Sequence, residues 1–293
     1  MNTYSESEIY PNIDKAEIER QYFMRAARPN YETEDLPGWI AKSDEFVSKN
    51  VGRLDLVYGP HARNKLDYFP AESNSESLAL YIHGGYWQRG DKAVYRFLAE
   101  NLINNGMSVA LINYPMCPDV RFSEIVVHVR SAVKWLWAHA EELSFDRDKI
   151  NVIGHSAGGH LTSEIMLTDW KAQDKDLPHQ LIRSGVALSG LYDLSPLLYC
   201  SENQGLRLDK EEVETASPMN RRPESLRPML MGYGLKEPPD MHRQTVEFYN
   251  KFHPICERMD CLGVDADHMD VVNELADSNS ELVGCVLDYV LSS

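Results

Sequence analysis

The chain has 293 residues, 43% apolar and 25% charged, with 29 Lys and Arg against 45 Asp and Glu and a formal net charge of −16. That length carries one large α/β domain or two small ones with a substantial core, and that balance excludes a disordered, collagenous or coiled-coil architecture. So acidic a chain is a poor partner for nucleic acid or an anionic membrane surface, and no apolar run is long enough to cross a bilayer. The opening MNTYSESEIY has neither the basic nor the apolar region of a secretory leader. The five cysteines (Cys117, Cys200, Cys256, Cys261, Cys285) are scattered without a CxxC pair, which predicts buried thiols in a reducing cytoplasm.

In chain order, residues 1–50 are acidic and polar with scattered aromatics, and helices are expected over 14–27 and from Trp39 to Val47. From residue 53 the texture changes. RLDLVYG (53–59) and NKLDYFPA (64–71) read as two hairpin-related strands. LALYIHGG (78–85), VALINYP (109–115), INVIGHS (150–156), GVALSGL (185–191), PMLMGYG (228–234) and CLGVDADH (261–268) are short apolar runs, the pattern of strands buried on both faces. Between them, 122–143 carries an apolar stripe at helical spacing, 240–252 starts on Asp240 as an expected N-cap, and 280–291 forms a closing helix. Alternating strands and helices predict a doubly wound, mostly parallel α/β sheet. Chemistry is then expected beyond the C-terminal ends of the strands.

Gly154-His155-Ser156-Ala157-Gly158 stands between the strand INVI and the helical run HLTSEIML. This is G-x-S-x-G in the strand–turn–helix setting of a nucleophile elbow, which lifts the Ser156 hydroxyl off the sheet. The alternative is a small-residue turn with a capping serine. A second donor loop is expected after an earlier strand, and His83-Gly84-Gly85-Tyr86-Trp87 supplies it. Backbone N–H groups of Gly84 or Gly85, with that of Ala157, suit an oxyanion hole. His83 reads as a loop-organising residue.

Of ten histidines, His268 alone follows the last apolar strand, where a general base arriving late in the chain belongs. His128 and His139 fall on the long helix, His155 and His160 flank the elbow, and His242 and His253 sit on the penultimate helix. For the acid, chain order leaves Glu237 first, then Asp240 and Asp193; Asp265 and Asp267 lie too near His268 in sequence to orient its far nitrogen. Tyr86, Trp87 and Tyr192 either stack on an aromatic leaving group or pack the rim. HExxH, P-loop and GxGxxG motifs are absent, and DADHMD lacks the glycine and spacing of a calcium loop. Neither metal nor organic cofactor is expected.

HGGYWQ, then Tyr114-Pro115, VIGHSAGGHL, SGLYDL and DMHRQT resemble the arylformamidase (kynurenine formamidase) branch of the α/β-hydrolases, from about residue 50 to the C-terminus. The resemblance implies an N-terminal helical lid over 1–50, a catalytic domain over 51–293, Glu237 as the acid where the family more often has Asp, and His268-Met269-Asp270 as the histidine motif. It implies a cytoplasmic serine hydrolase that cleaves a small-acyl amide of an aromatic amine, N-formyl-kynurenine first, with a small-molecule substrate as its partner. A short-chain carboxylesterase with the same residues, a non-catalytic binding protein on this fold, and a homodimer all stay open at this point.

Overall fold

The computed structural model describes residues 15–71 and 76–292. The leader reading on MNTYSESEIY and the expected helical start at Asp14 lie outside the described residues. Eight strands form one sheet: β1 (Arg53–Val57), β2 (Lys65–Phe69), β3 (Leu78–Ile82), β4 (Ser108–Ile112), β5 (Ile150–His155), β6 (Ile182–Leu188), β7 (Met229–Gly234) and β8 (Met259–Val264). Their order is β1-β2-β4-β3-β5-β6-β7-β8. β2 runs antiparallel to both β1 and β4, and every other pairing is parallel.

The core follows from that topology. Parallel strands need crossovers, which place helices on both faces. β3, β4 and β5 are accordingly buried at every residue. Alternate side chains feed two apolar layers, one with Leu80, Ile112 and Val152, the other with Tyr81, Leu111 and Ile153.

The helices that position the site are α1 (Lys15–Tyr22), α2 (Leu36–Lys49), α3 (Phe122–Ala138), α4 (Ala157–Met166), α5 (Pro239–Phe252), α6 (Asp270–Ala276) and α7 (Glu281–Ser292). Two expectations need correction. The long helix closes at Ala138 rather than 143, where the His139 ring N–H donates to the Trp135 carbonyl at 2.7 Å. Asp240 is not an N-cap. Pro239, with φ already set for the first helical position, starts α5 one residue earlier and puts Asp240 inside its first turn.

Residues 15–50 form a strap over one end of the sheet. α1 gives way to a 3₁₀ turn at Met24–Ala27, and a π turn at Tyr31–Asp35 leads into α2. The strap is tied down by polar contacts. The Arg28 guanidinium donates to Asp35, Asp267 and Asp270, the Trp39 indole donates to Asn273 at 2.9 Å, and Ser43 donates to the Val94 carbonyl at 2.8 Å. The Tyr22 hydroxyl donates to the Asp240 carboxylate, and Gln244 donates to the Tyr22 oxygen at 2.9 Å. The DMHRQ motif is thus where the catalytic frame grips the strap.

Candidate active site

β5 delivers its chain end into a turn at Ser156, whose φ of 59° and ψ of −123° lie outside the ordinary range for a side-chain-bearing residue. The turn is held because Ser156 N–H donates to the Leu188 carbonyl at 2.9 Å and α4 starts at the next residue. α4 then crosses so close to the end of β3 that a Cβ on Gly158 would stand 2.0 Å from the Ile82 carbonyl oxygen. Glycine at that position is a packing requirement of the elbow. All ten residues of α4 are buried, so Ser156 rests on a wedged element.

β7 and β8 are parallel neighbours, paired Tyr233 with Gly263 and Gly234 with Val264. The loops that leave them therefore run side by side. Leu235 N–H donates to the Val264 carbonyl at 2.7 Å and Lys236 N–H to the Ala266 carbonyl at 3.0 Å. This cross-linking brings Glu237 to His268: His268 Nδ1 bonds Glu237 Oε1, while Glu237 Oε2 accepts the Gly234 N–H at 2.9 Å. The Glu237 side chain is fully buried. With Nδ1–H committed to the carboxylate, Nε2 carries the lone pair, and it lies 2.9 Å from Ser156 Oγ.

The other acids point elsewhere. Asp240 takes Tyr22 and, at 2.6 Å, Arg243 Nε. Asp193 accepts from the backbone and hydroxyl of Ser195. Asp265 pairs with Lys236 at the surface, and Asp267 accepts the Met269 and Asp270 amides at the head of α6.

The loop after β3 passes directly beside the elbow. A Cβ on Gly84 would lie 3.0 Å from the Ser156 Cβ and 2.9 Å from the His155 carbonyl oxygen, so only glycine lets the backbone come this near. Gly85 follows with φ of +120°. His83 anchors the loop from beneath. Its ring is buried, stacks on Tyr114 at 4.6 Å and donates from Nδ1 to the Gly84 carbonyl at 2.6 Å, while Tyr114 donates to the His83 carbonyl. Burial lowers its pKa to about 4, so the ring is neutral. Ala157 holds the first position of α4, where an N–H has no intrahelical acceptor. Gly84, Gly85, Ser156 and His268 all line one cavity of about 310 Å³.

The cavity walls differ from the sequence expectation. Of the three aromatics singled out, Tyr86 lines the cavity. Trp87 and Tyr192 do not: both are fully buried in the core. Trp87 packs against Phe122 at 4.9 Å and donates to His160 Nδ1 at 3.2 Å, because the His160 ring gives its other nitrogen to the Ala216 carbonyl. Tyr192 packs against Phe248 at 4.6 Å. Instead the strap contributes Phe23, Met24, Arg25, Tyr31 and Trp39, and Glu202 joins from the segment after β6. The aromatic residues of 1–50 were the available signal, but nothing in their spacing says which strand end they cover. His155 also lines the cavity, its ring 4.7 Å from that of His268, and burial holds its pKa well below the ordinary value. Among the described residues no cluster of three His, Cys, Asp or Glu is arranged to hold a metal ion, and no helix is long and apolar enough to cross a membrane.

A mostly parallel sheet with a serine elbow and a histidine and a carboxylate on adjacent later loops defines an α/β-hydrolase, an enzyme that hydrolyses esters or amides. Residues 66–252 match the BD-FAE family, and the chain belongs to that family. It is also similar to the kynurenine formamidase of Danio rerio, 27% identical over 295 residues that cover 96% of this chain and 98% of that one. The kynurenine formamidase of Drosophila melanogaster is 27% identical over 69% of this chain and 71% of its own. A crystal structure from Silicibacter sp. TM1040, of a protein proposed to be a thioesterase, is 30% identical and superposes with a TM-score of 0.74, covering 90% of this chain and 98% of that one.

Proposed function

We propose that the enzyme removes a small acyl group, formyl first, from an aromatic amine through an acyl-enzyme on Ser156. His268 Nε2 takes the Ser156 proton as Oγ attacks the acyl carbon. Glu237 fixes the imidazole tautomer and stabilises the imidazolium that forms. The oxyanion is received by the Ala157 N–H together with that of Gly84 or Gly85, dipoles already in place before charge develops. His268 then gives its proton to the leaving nitrogen, and a water repeats the sequence on the acyl-enzyme.

The observation that carries this reading is the relay from Glu237 through His268 to Ser156 opening into an aromatic-walled cavity. An aromatic amine offers those walls a flat face and leaves more readily than an alkylamine. The near full-length likeness to the Danio rerio kynurenine formamidase and the partial likeness to that of Drosophila melanogaster support the same choice. The test is kcat/KM for N-formyl-kynurenine against p-nitrophenyl acetate and a longer-chain ester. A strong preference for the formamide is expected. Ester turnover without formamide cleavage would make the enzyme a short-chain esterase instead.

A further inference from the structure

Of the polar residues in DMHRQ, three serve the strap, the frame or the helix itself. Asp240 holds Tyr22 and Arg243. Arg243 also reaches Glu247 at 2.7 Å. Gln244 accepts the Tyr192 and Asp193 amides at 2.7 and 2.9 Å and donates to Tyr22. His242 meets a different part of the molecule. Its Nε2–H donates to the Gly234 carbonyl at 2.8 Å, and its ring packs on Tyr233 with centroids 4.7 Å apart.

Gly234 is the last residue of β7, and both of its polar groups serve Glu237. Its N–H donates to Glu237 Oε2 at 2.9 Å, and its carbonyl accepts the Glu237 N–H at 3.0 Å. Residues 234–237 thus close a tight turn with the acid as its last member. A carbonyl oxygen has two lone pairs; the turn fills one and His242 the other. There is little slack against the β8 loop, since a Cβ on Gly234 would stand 2.4 Å from the Ala266 carbonyl oxygen.

Resting on the reading of Glu237 as the acid, we propose that His242 is a positioning residue for it: from α5 it pins the Gly234 turn, so that the Glu237 carboxylate stands where His268 Nδ1 meets it. A glutamate reaches its carboxylate through several rotatable bonds, and any looseness in them spreads the carboxylate over places that miss the imidazole. Oε2 is fixed by a backbone N–H of the turn, so the contact of Oε1 with His268 is only as well placed as the turn itself. Leu235 and Lys236 tie that turn to the β8 loop through their amides, and His242 ties it to α5. The helix that grips the strap through Asp240 and Gln244 therefore also braces the acid.

A double-mutant cycle tests this. The readout is the second-order rate at which a fluorophosphonate labels Ser156, with the thermal midpoint measured beside it to confirm that each variant is folded. Labelling needs the relay but no acyl substrate, so an enzyme that fails to cleave formamides leaves the test intact. His242→Phe keeps a ring against Tyr233 and removes the N–H; it is expected to slow labelling about 5- to 10-fold. His242→Gln, whose amide can donate in place of Nε2, should recover to within about twofold of wild type. In an enzyme already carrying Glu237→Ala, where no carboxylate remains to be placed, adding His242→Phe should slow labelling by less than about twofold. Equal slowing in the two backgrounds overturns the proposal and makes His242 a support of the fold alone, and so does an unslowed His242→Phe. Wild-type labelling by Glu237→Ala would instead remove the acid assignment, and the proposal with it.

Discussion

The sheet end and the strap build opposite halves of one cavity by different rules. Ser156, His268 and Glu237 stand on turns fixed by parallel strand pairing and by backbone contacts too tight for any residue but glycine. Phe23, Arg25, Tyr31 and Trp39 arrive on a separate segment held by side-chain contacts such as Arg28 to Asp267 and Tyr22 to Asp240. The first half is a consequence of the fold. The second arrives as a separate segment laid against it, with Trp39 packed on Tyr95 and Phe97. On the proposed function the difference teaches where reaction and selectivity would divide: the frame would supply the acyl-transfer chemistry and the strap would shape what is admitted to it.

Breaking the frame should cost most. Ser156→Ala is expected to lower kcat by roughly 10⁴ to 10⁶ with an unchanged thermal midpoint, since the Ser156 side chain contributes one solvent-side contact. Steady-state kinetics beside a melting curve checks both halves of that statement. Glu237→Gln should lower kcat by about 10² to 10⁴, because the amide no longer stabilises the imidazolium. An effect of the same size in Asp240→Asn would shift the acid role to Asp240.

The part of this division written in the sequence is the part set by local rules. GHSAG after a short apolar run points to an elbow, and HGG after an earlier run to a close backbone approach; Gly158 and Gly84 are the residues on which those requirements act. Glu237 separates from Asp240 once Pro239 is given the first helical position. Trp87 and Tyr192 show the opposite situation. Aromatics next to glycine-rich motifs can face the cavity or the core, and the side they take depends on partners far away in sequence, Phe122 and His160 for one and Phe248 for the other. The cavity role of Tyr31 and Trp39 depends likewise on where the strap lands, which long-range contacts to Asn273, Asp267 and Asp270 decide.

Acid should loosen the frame before it touches the strap. His83 and His160 are buried and neutral, with pKa lowered by desolvation from 6.5 to about 4. Above pH 6.5 neither folded nor unfolded chain protonates them. Between 6.5 and about 4 the unfolded chain takes the proton first, so stability falls as pH drops through that window, by on the order of 3 kcal/mol per ring at its lower end. Denaturant titrations from pH 7.5 to 4.5 should show this slope, and His160→Gln should flatten it. A stability independent of pH across that window would contradict the buried neutral state.

The smallest effects sharpen the strap side of the comparison. Arg28→Gln removes the contacts to Asp267 and Asp270 on either side of His268, and kcat/KM should fall roughly threefold to tenfold, about 1 kcal/mol. Limited proteolysis should cut within residues 15–50 faster while the rest of the chain stays resistant. Asp240→Asn, which weakens the grip on Tyr22 and Arg243, should cost about 1 kcal/mol of stability with a smaller loss of activity than Arg28→Gln.

The account stands on Ser156 Oγ being the atom that becomes acylated. Labelling the enzyme with a fluorophosphonate and mapping the adduct by peptide mass spectrometry asks this directly. One adduct per chain on Ser156 is the predicted result, absent from Ser156→Ala and lost when His268 is replaced by alanine. An adduct on any other residue, or a Ser156→Ala enzyme that still turns over substrate at the wild-type rate, would contradict it.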